Sequence, residues 1–239
     1  MKDIQNQEDH RRINIKKVGV KTISYPITVL DKARSKQHTI ASVNMYVNLP
    51  HQFKGTHMSR FVEILNRFHG AIDIAKFRYI LEEMKEKLEA EAAHIEMSFA
   101  YFLTGKQEDP NTLKSSRYEC CMHGSLEAED DLELRVDVPV ALPLTEKTGQ
   151  GLPRSLGHWG KVVTAVKFRN FIWIEDIITL IEKAIDHERS HGKNAMSVES
   201  LTRRVAESLE EEAAIKWFSV RVQNLSEGYS TFAAMESVS

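Results

Sequence analysis

Two hydrophobic periods follow one another along this chain, and their order limits the fold more than any other feature. Apolar residues alternate with polar ones from Ala41 to Leu49, which is the period of a half-buried strand. Between Ile74 and Leu88 the spacing changes to that of one apolar helical face. Strand alternation then returns from Ile95 to Tyr101. The first half therefore predicts strands that flank a helical segment.

The second half repeats this order of periods. Strand alternation covers 132–140 and 162–168, helical spacing covers 174–185 and 198–209, and further strands follow from Trp217. The repeat predicts two copies of strand–strand–helix–helix–strand. Because strands group with strands and helices with helices, we expect an α+β fold of antiparallel sheets with paired helices on one face. Subunit pairing into a barrel would relieve the open edges of such a sheet.

The same pattern suggests where the chain divides. Residues 1–19 are polar and predict an N-terminal arm, whereas strand alternation begins at Val20. The boundary between the two copies falls in a predicted loop that contains Asp109-Pro110-Asn111. We therefore expect a first module over 20–110 and a second module over 111–239.

Composition and charge exclude several classes of protein. The net charge of −2 gives no bulk attraction to nucleic acid or to an anionic membrane surface. No run approaches the roughly 18 apolar residues that a membrane span needs, and the polar N-terminus does not resemble a signal peptide. The only cysteines, Cys120 and Cys121, are adjacent and would point to opposite faces of a strand, so a shared disulfide is not expected. These features fit a reducing cytoplasm.

A dense group of polar residues lies where a strand gives way to a helix. It runs Lys54-Gly55-Thr56-His57-Met58-Ser59-Arg60-Phe61-Val62-Glu63. Helix N-termini present unpaired N–H groups and the positive end of a dipole, so this junction predicts an anion site. The alternative is a capped helix start, with Thr56 as the N-cap and the cations in solvent.

This junction, preceded by Leu49-Pro50, resembles the signature of the prokaryotic type IB GTP cyclohydrolase I family. The resemblance continues at Val138-Pro139-Val140, at 171–176 and at Val198-Glu199. It implies tandem tunnelling-fold (T-fold) modules, a cytoplasmic homotetramer with sites between subunits, and hydrolysis of GTP to 7,8-dihydroneopterin triphosphate and formate. This reaction begins pterin and tetrahydrofolate biosynthesis.

The resemblance also implies roles for individual residues. The junction would hold the substrate through five side chains: Lys54, Thr56, His57, Ser59 and Arg60. Glu199 matches a family active-site glutamate and would accept hydrogen bonds from the N1–H and the exocyclic amine of guanine. Glu227 approximates a second carboxylate. Glu199 has an alternative explanation, since acidic residues in the first turn of a helix favour its dipole.

The family implies a divalent metal (Zn, Mn or Fe) that activates the attacking water. An ungapped alignment places Leu144 and Leu156 at the positions of the metal-binding cysteine and histidine, and neither leucine has a donor atom. His158 is two residues away and is the best remaining candidate for a metal ligand and catalytic residue. These losses leave open a paralogue with altered function.

Two other groups have the spacing of metal ligands. The run His187-Glu188-Arg189-Ser190-His191 matches H-E-x-x-H, and Glu210, Glu211 and Glu212 downstream offer third ligands. Its position at a polar helix end also suits a simple dipole interaction. Cys121 and His123 would share a strand face and join a soft-metal site, although cysteine as a small buried apolar residue is the default.

Three functions remain after the sequence is read. The leading one is the family activity on GTP. The first alternative is a non-catalytic paralogue that binds a purine or pterin or assembles with an active homologue. The second alternative is a different metal-dependent hydrolase that uses His187 and His191.

Overall fold

The elements follow the order β-β-α-α-β-β, and the chain contains this order twice. The computed structural model describes residues 15–50, 56–68, 74–104, 115–141, 158–191, 196–225 and 228–237. The first copy consists of β1 (Ile15–Asp31), β2 (Ser35–Leu49), α1 (Met58–Arg67), α2 (Ile74–Lys87), β3 (Ala92–Thr104) and β4 (Ser115–Leu126). The second copy consists of β5 (Asp130–Ala141), β6 (His158–Phe168), α3 (Ile174–His191), α4 (Val198–Glu210), β7 (Ile215–Leu225) and β8 (Ser230–Glu236).

The eight strands hydrogen-bond in chain order, from β1 to β8. Adjacent strands run antiparallel in the pairs β1–β2, β2–β3, β6–β7 and β7–β8. The predicted α+β class is therefore confirmed, and so are the helices and strands that the two periods indicated. The predicted repeat has one strand after its helices, whereas each copy in the structure has two. The strands predicted from Trp217 onward match β7 and β8, and the strand predicted to carry Cys121 and His123 is β4.

Two compact units divide the described residues. Unit 1 takes residues up to Phe102 together with Cys120–Leu134, and unit 2 takes Leu103–Glu119 together with the chain from Arg135 onward. Strands β3, β4 and β5 contribute residues to both units. The predicted modules 20–110 and 111–239 stay a prediction, but β1 begins at Ile15, inside the segment expected to be an arm.

Alternating residues on β2 and β3 form the core of unit 1. The odd-numbered residues of β2 from Ala41 to Leu49 are buried, as are those of β3 from Ala93 to Tyr101. Helices α1 and α2 bury apolar residues of the same unit: Phe61, Ile64, Leu65, Phe77, Ile80, Leu81, Met84. Most even-numbered residues of β2 and β3 lie on the other face, and many of them are polar; we call this surface the open face of unit 1. It includes Ser42, Asn44, Tyr46, His94, Glu96 and Ser98.

Helices α3 and α4 supply the core of unit 2. Ile177, Ile178 and Ile181 of α3 and Leu201 and Val205 of α4 are fully buried. The helical spacing in the sequence predicted these faces. Among the described residues, no helix is long and apolar enough to cross a membrane.

Candidate functional site

The junction before α1 is an extended segment that turns directly into the helix. His57 is the N-cap residue, with φ −75° and ψ 115°, and its carbonyl accepts the amide of Arg60 at 3.1 Å. Thr56 is buried, His57 is half-buried and Ser59 is exposed. The idea that Thr56 caps the helix was wrong by one residue, and the His57 side chain makes no capping hydrogen bond. The helix N-terminus therefore keeps backbone N–H groups that a side chain does not cap.

Arg60 has a structural partner. Its Nη1 donates a hydrogen bond to the carbonyl of Lys87 at 3.2 Å, at the C-terminal end of α2. A cation at this end of a helix satisfies an orphan carbonyl and complements the dipole. Arg60 thus ties α1 to α2 across unit 1. Its predicted contact with substrate stays a prediction, as do those of Thr56, His57 and Ser59.

Glu199 lies exposed in the first turn of α4. Ser197 is the N-cap, and its hydroxyl accepts the amide of Ser200 at 3.1 Å in a capping box. The cap holds the start of α4 in place and leaves the Glu199 carboxylate in solvent. An exposed carboxylate in this position suits the helix dipole and is also available to a ligand. Its predicted role in binding guanine stays a prediction.

A groove between α3 and α4 brings His187 together with predicted third ligands. It has a volume of about 690 Å³ and is lined by His187, Lys183, Arg204, Glu211 and Glu212, among others. The cations of Lys183 and Arg204 share this groove with the carboxylates of Asp176, Glu211 and Glu212. No three His, Cys, Asp or Glu side chains of the described residues are arranged to hold a metal ion. The H-E-x-x-H run therefore gains no support as a metal centre from the residues described.

Cys121 takes part in a network of hydrogen bonds across unit 1. Cys120 and Cys121 are both buried on β4 and form no disulfide. The thiol of Cys121 donates to Glu96 Oε1 at 3.9 Å, and Glu96 Oε2 accepts from Asn44 Nδ2 at 2.9 Å. Asn44 Oδ1 in turn accepts the amide of Thr22 at 2.8 Å. This series of hydrogen bonds runs across unit 1 from β4 to β1 and gives partners to polar groups that would otherwise be costly to bury.

Lys17, Tyr46 and His94 also contact one another on the open face, and we call these three residues the Lys17–Tyr46–His94 row. The ammonium of Lys17 lies 3.6 Å from the centre of the Tyr46 ring, which stacks on His94 with centroids 4.7 Å apart and planes 15° from parallel. Burial lowers the pKa of His94, Glu127 opposes the shift, and His123 and Lys17 lower the pKa further. His94 is therefore neutral at neutral pH, and its pKa responds to the charge of Lys17.

Sequence reasoning did not single out this row or Asn44 and Glu96. The available signal was the polar side of the alternation, since Asn44 and Tyr46 fall between buried apolar residues of β2. That signal identifies a face but not the cross-strand partners, which depend on register.

Several predicted site residues lie outside what the structure describes. Lys54, Leu144, Leu156 and Glu227 belong to undescribed segments. His158 begins β6 and His191 ends α3, but only their backbones are described. Their predicted roles stay predictions.

Comparisons with known proteins identify the family. Residues 1–227 match the family described as type I GTP cyclohydrolase FolE2. A GTP cyclohydrolase FolE2 of Syntrophus aciditrophicus (strain SB) is 44% identical, with 94% of each chain covered. Another from Syntrophobacter fumaroxidans (strain DSM 10017 / MPOB) is 41% identical, with 99% of each chain covered.

Solved structures support the fold independently. A hyperthermostable mutant of the urate oxidase of Bacillus sp. TB-90 superposes with a TM-score of 0.59 at 10% identity, covering 92% of this chain and 97% of the other. The uricase of Arthrobacter globiformis gives 0.53 at 9% identity, with 92% of each chain covered. At such low identity these likenesses show the shared tunnelling fold alone. The sequence matches go further: the chain belongs to the type I GTP cyclohydrolase FolE2 family.

Proposed function

We propose that this protein is a GTP cyclohydrolase I that hydrolyses GTP to 7,8-dihydroneopterin triphosphate and formate, at the start of folate-type pterin biosynthesis. The observation that carries the proposal is the 44% identity to a GTP cyclohydrolase FolE2 over 94% of both chains. The retained junction from Thr56 to Arg60 and the retained Glu199 are consistent with it.

The junction and Glu199 have separate tasks in this proposal. The triphosphate of GTP meets the start of α1, where uncapped N–H groups and the dipole favour an anion. Lys54, Thr56, His57, Ser59 and Arg60 are the side chains assigned to this end of the substrate. Glu199 takes the guanine edge, because a carboxylate can accept from N1–H and the exocyclic amine together. Glu227 is assigned as a further substrate contact. Holding both ends of GTP fixes its C8 for attack by water.

The residues at the expected metal site do not supply the ligands that a divalent metal needs. The described residues contain no three-ligand cluster, and Leu144 and Leu156 replace donors with hydrocarbon. His158 is the best remaining candidate ligand near those positions. We therefore assign no catalytic step to a metal. Metal analysis of the purified protein, with His158→Ala and His187→Ala as variants, tests whether either histidine holds one.

The family resemblance also supports a cytoplasmic homotetramer as a proposal. Strands β1 and β8 are the edges of the sheet, and β8 exposes Phe232 and Met235 at 63% and 45%. Apolar side chains on an unpaired edge favour association with another strand. Two cysteines without a disulfide suit a reducing compartment. Light scattering of the purified protein measures the number of subunits directly.

The activity is tested by incubation with GTP and detection of pterin fluorescence after oxidation. The wild-type protein should form product, and Glu199→Gln should lower kcat/KM by about 10- to 100-fold, the loss expected for hydrogen bonds to a charged group. Glu86→Gln, an exposed residue on α2, is the control and should retain activity. If the wild-type protein binds GTP without turnover, it is instead a non-catalytic purine or pterin binder. Equal activity of Glu199→Gln and wild type would remove Glu199 from the site.

A further inference from the structure

A small cavity lies at the edge strand β1, where Gly19 and Val20 pair with Tyr46 and Met45 of β2. Its volume is about 270 Å³, and it is lined by Lys17, Gly19, Val20, Lys21, Met45 and Tyr46. At about 30 Å³ for each water molecule, it has room for about nine waters, which is enough for one or two phosphate groups.

The charge of the cavity is one-sided. Lys17 and Lys21 both line it, and no carboxylate does. Within the described part of the chain, neither lysine forms an ion pair with an acidic residue. Lys17 rests instead on the Tyr46 ring, 3.6 Å from its centre. A cation–π contact positions an ammonium without neutralising its charge. Two uncompensated cations around one cavity attract an anion.

A β-bulge lies next to Lys21 on β1 and is held by hydrogen bonds. The register of β1 against β2 shifts between Val20 and Ile23, and Thr22 has a positive φ of 56°. A bulge of this kind redirects the side chains beside it. Asn44 holds the bulge through the Thr22 amide, and Glu96 holds Asn44. A positive φ at a β-branched residue is strained, and such strain persists only where the surroundings enforce it.

The neighbouring strand excludes a side chain from the cavity floor. A Cβ on Gly19 would lie 2.0 Å from the carbonyl oxygen of Met45. Only glycine permits this close pairing, so the floor is bare backbone beneath the two lysines.

We propose that Lys17 and Lys21 form a binding site for a phosphate-bearing anion at this cavity. The phosphate comes either from the polyphosphate chain of a nucleotide or from free inorganic pyrophosphate. Both sources present clustered negative oxygens, and two lysines match them as point charges. The Tyr46 ring already carries Lys17 on one side and stacks on His94, so the site recognises phosphate and not an aromatic base.

Calorimetric titration of the full-length protein with inorganic pyrophosphate, at low ionic strength, tests the site. Each of Lys17→Ala and Lys21→Ala should weaken binding by about tenfold, the loss of one hydrogen bond to a charged group. Lys36→Ala is the matched control, because Lys36 is exposed on the same β1–β2 pair and does not line the cavity. Lys17→Arg keeps the charge and should retain most of the affinity. Circular dichroism confirms that each variant is folded.

An NMR signal reports the location of the anion. Pyrophosphate beside Lys17 offsets the ammonium charge that helps lower the pKa of His94, so the His94 pKa should rise on binding. The other charged groups that act on His94 are Glu127 and His123.

A parallel titration with GTP identifies the source of the phosphate. If the lysine variants weaken GTP and pyrophosphate equally, the cavity holds the nucleotide's phosphates in place of the junction before α1. If they weaken pyrophosphate alone, the cavity holds the free anion and the junction keeps the triphosphate. Absence of pyrophosphate binding at millimolar concentration would overturn the proposal. Binding that Lys17→Ala and Lys21→Ala leave unchanged would overturn it as well. These titrations need no turnover, so they are independent of whether the protein converts GTP.

Discussion

Replacing Tyr118 by phenylalanine removes the hydroxyl that connects β4 to α3 in unit 2. Tyr118 is 3% exposed, and its hydroxyl donates a short hydrogen bond to Glu182 Oε1. A hydrogen bond to a charged group contributes about 1.5–3 kcal/mol to the free energy of unfolding. Glu182 is half-buried, so water can partly replace the lost donor. We therefore expect Tyr118→Phe to lower the free energy of unfolding by about 1.5 kcal/mol at pH 7, as measured by urea denaturation.

The same contact predicts a pH dependence. Burial, followed by the hydrogen bond and charge of Glu182, raises the pKa of Tyr118 above its ordinary value of 10.0. The unfolded state therefore binds fewer protons than the folded state above pH 10, and the free energy of unfolding falls as the pH rises. At pH 11, ionisation of the tyrosine in the unfolded state lowers the free energy of unfolding of the wild-type protein by about 1.4 kcal/mol. Wild type and Tyr118→Phe should thus have nearly equal stability near pH 11.

The control for this prediction is Tyr79→Phe. Tyr79 is 59% exposed on α2, and its replacement should change the free energy of unfolding by less than about 0.5 kcal/mol at any pH. Other titrating groups are common to wild type and variant and cancel in the difference. A stability difference for Tyr118→Phe that is absent at pH 7, or that stays constant up to pH 11, would refute the reasoning.

Three further substitutions test separate features. Ser197→Ala removes the cap of α4 and should cost about 1 kcal/mol in thermal unfolding; an unchanged Tm would argue against the capping box. Gly124→Ala would place a Cβ 2.5 Å from Phe77 Cε1, so urea denaturation should show a loss of about 1–3 kcal/mol; an equally stable variant would mean that the ring moves at no cost. Phe232→Lys should lower the mass measured by light scattering because it charges an exposed edge strand, whereas Tyr79→Lys should not; equal masses would exclude β8 from the assembly.

Most elements could be predicted from sequence because their burial follows a period. β2 is the clearest case, since its odd-numbered residues from Ala41 to Leu49 are all buried. β4 is the opposite case. Cys120, Cys121 and Met122 are consecutive and all buried, so no alternation indicates a half-buried strand. The predicted repeat therefore omitted β4, although Cys121 and His123 were predicted to share a strand face.

The candidate site could be predicted only in part, because sequence gives residue types and not partners. The junction at Thr56–Arg60 was found by its composition, but nothing local shows that Arg60 donates to the carbonyl of Lys87. Likewise, the stack of Tyr46 on His94 depends on the register of β2 against β3. Contacts between distant segments are a property of the packed fold, so their partners appear only in three dimensions.

Opening of the imidazole ring of GTP releases C8 as formate, so the fate of C8 distinguishes a cyclohydrolase from a protein that only binds GTP. Purified protein is incubated with GTP labelled with ¹³C at C8, and the label is followed by NMR. We expect labelled formate to appear as GTP disappears, in equal amounts. A GTP signal that persists without labelled formate, at high protein concentration and with manganese, iron or zinc supplied in turn, would contradict it.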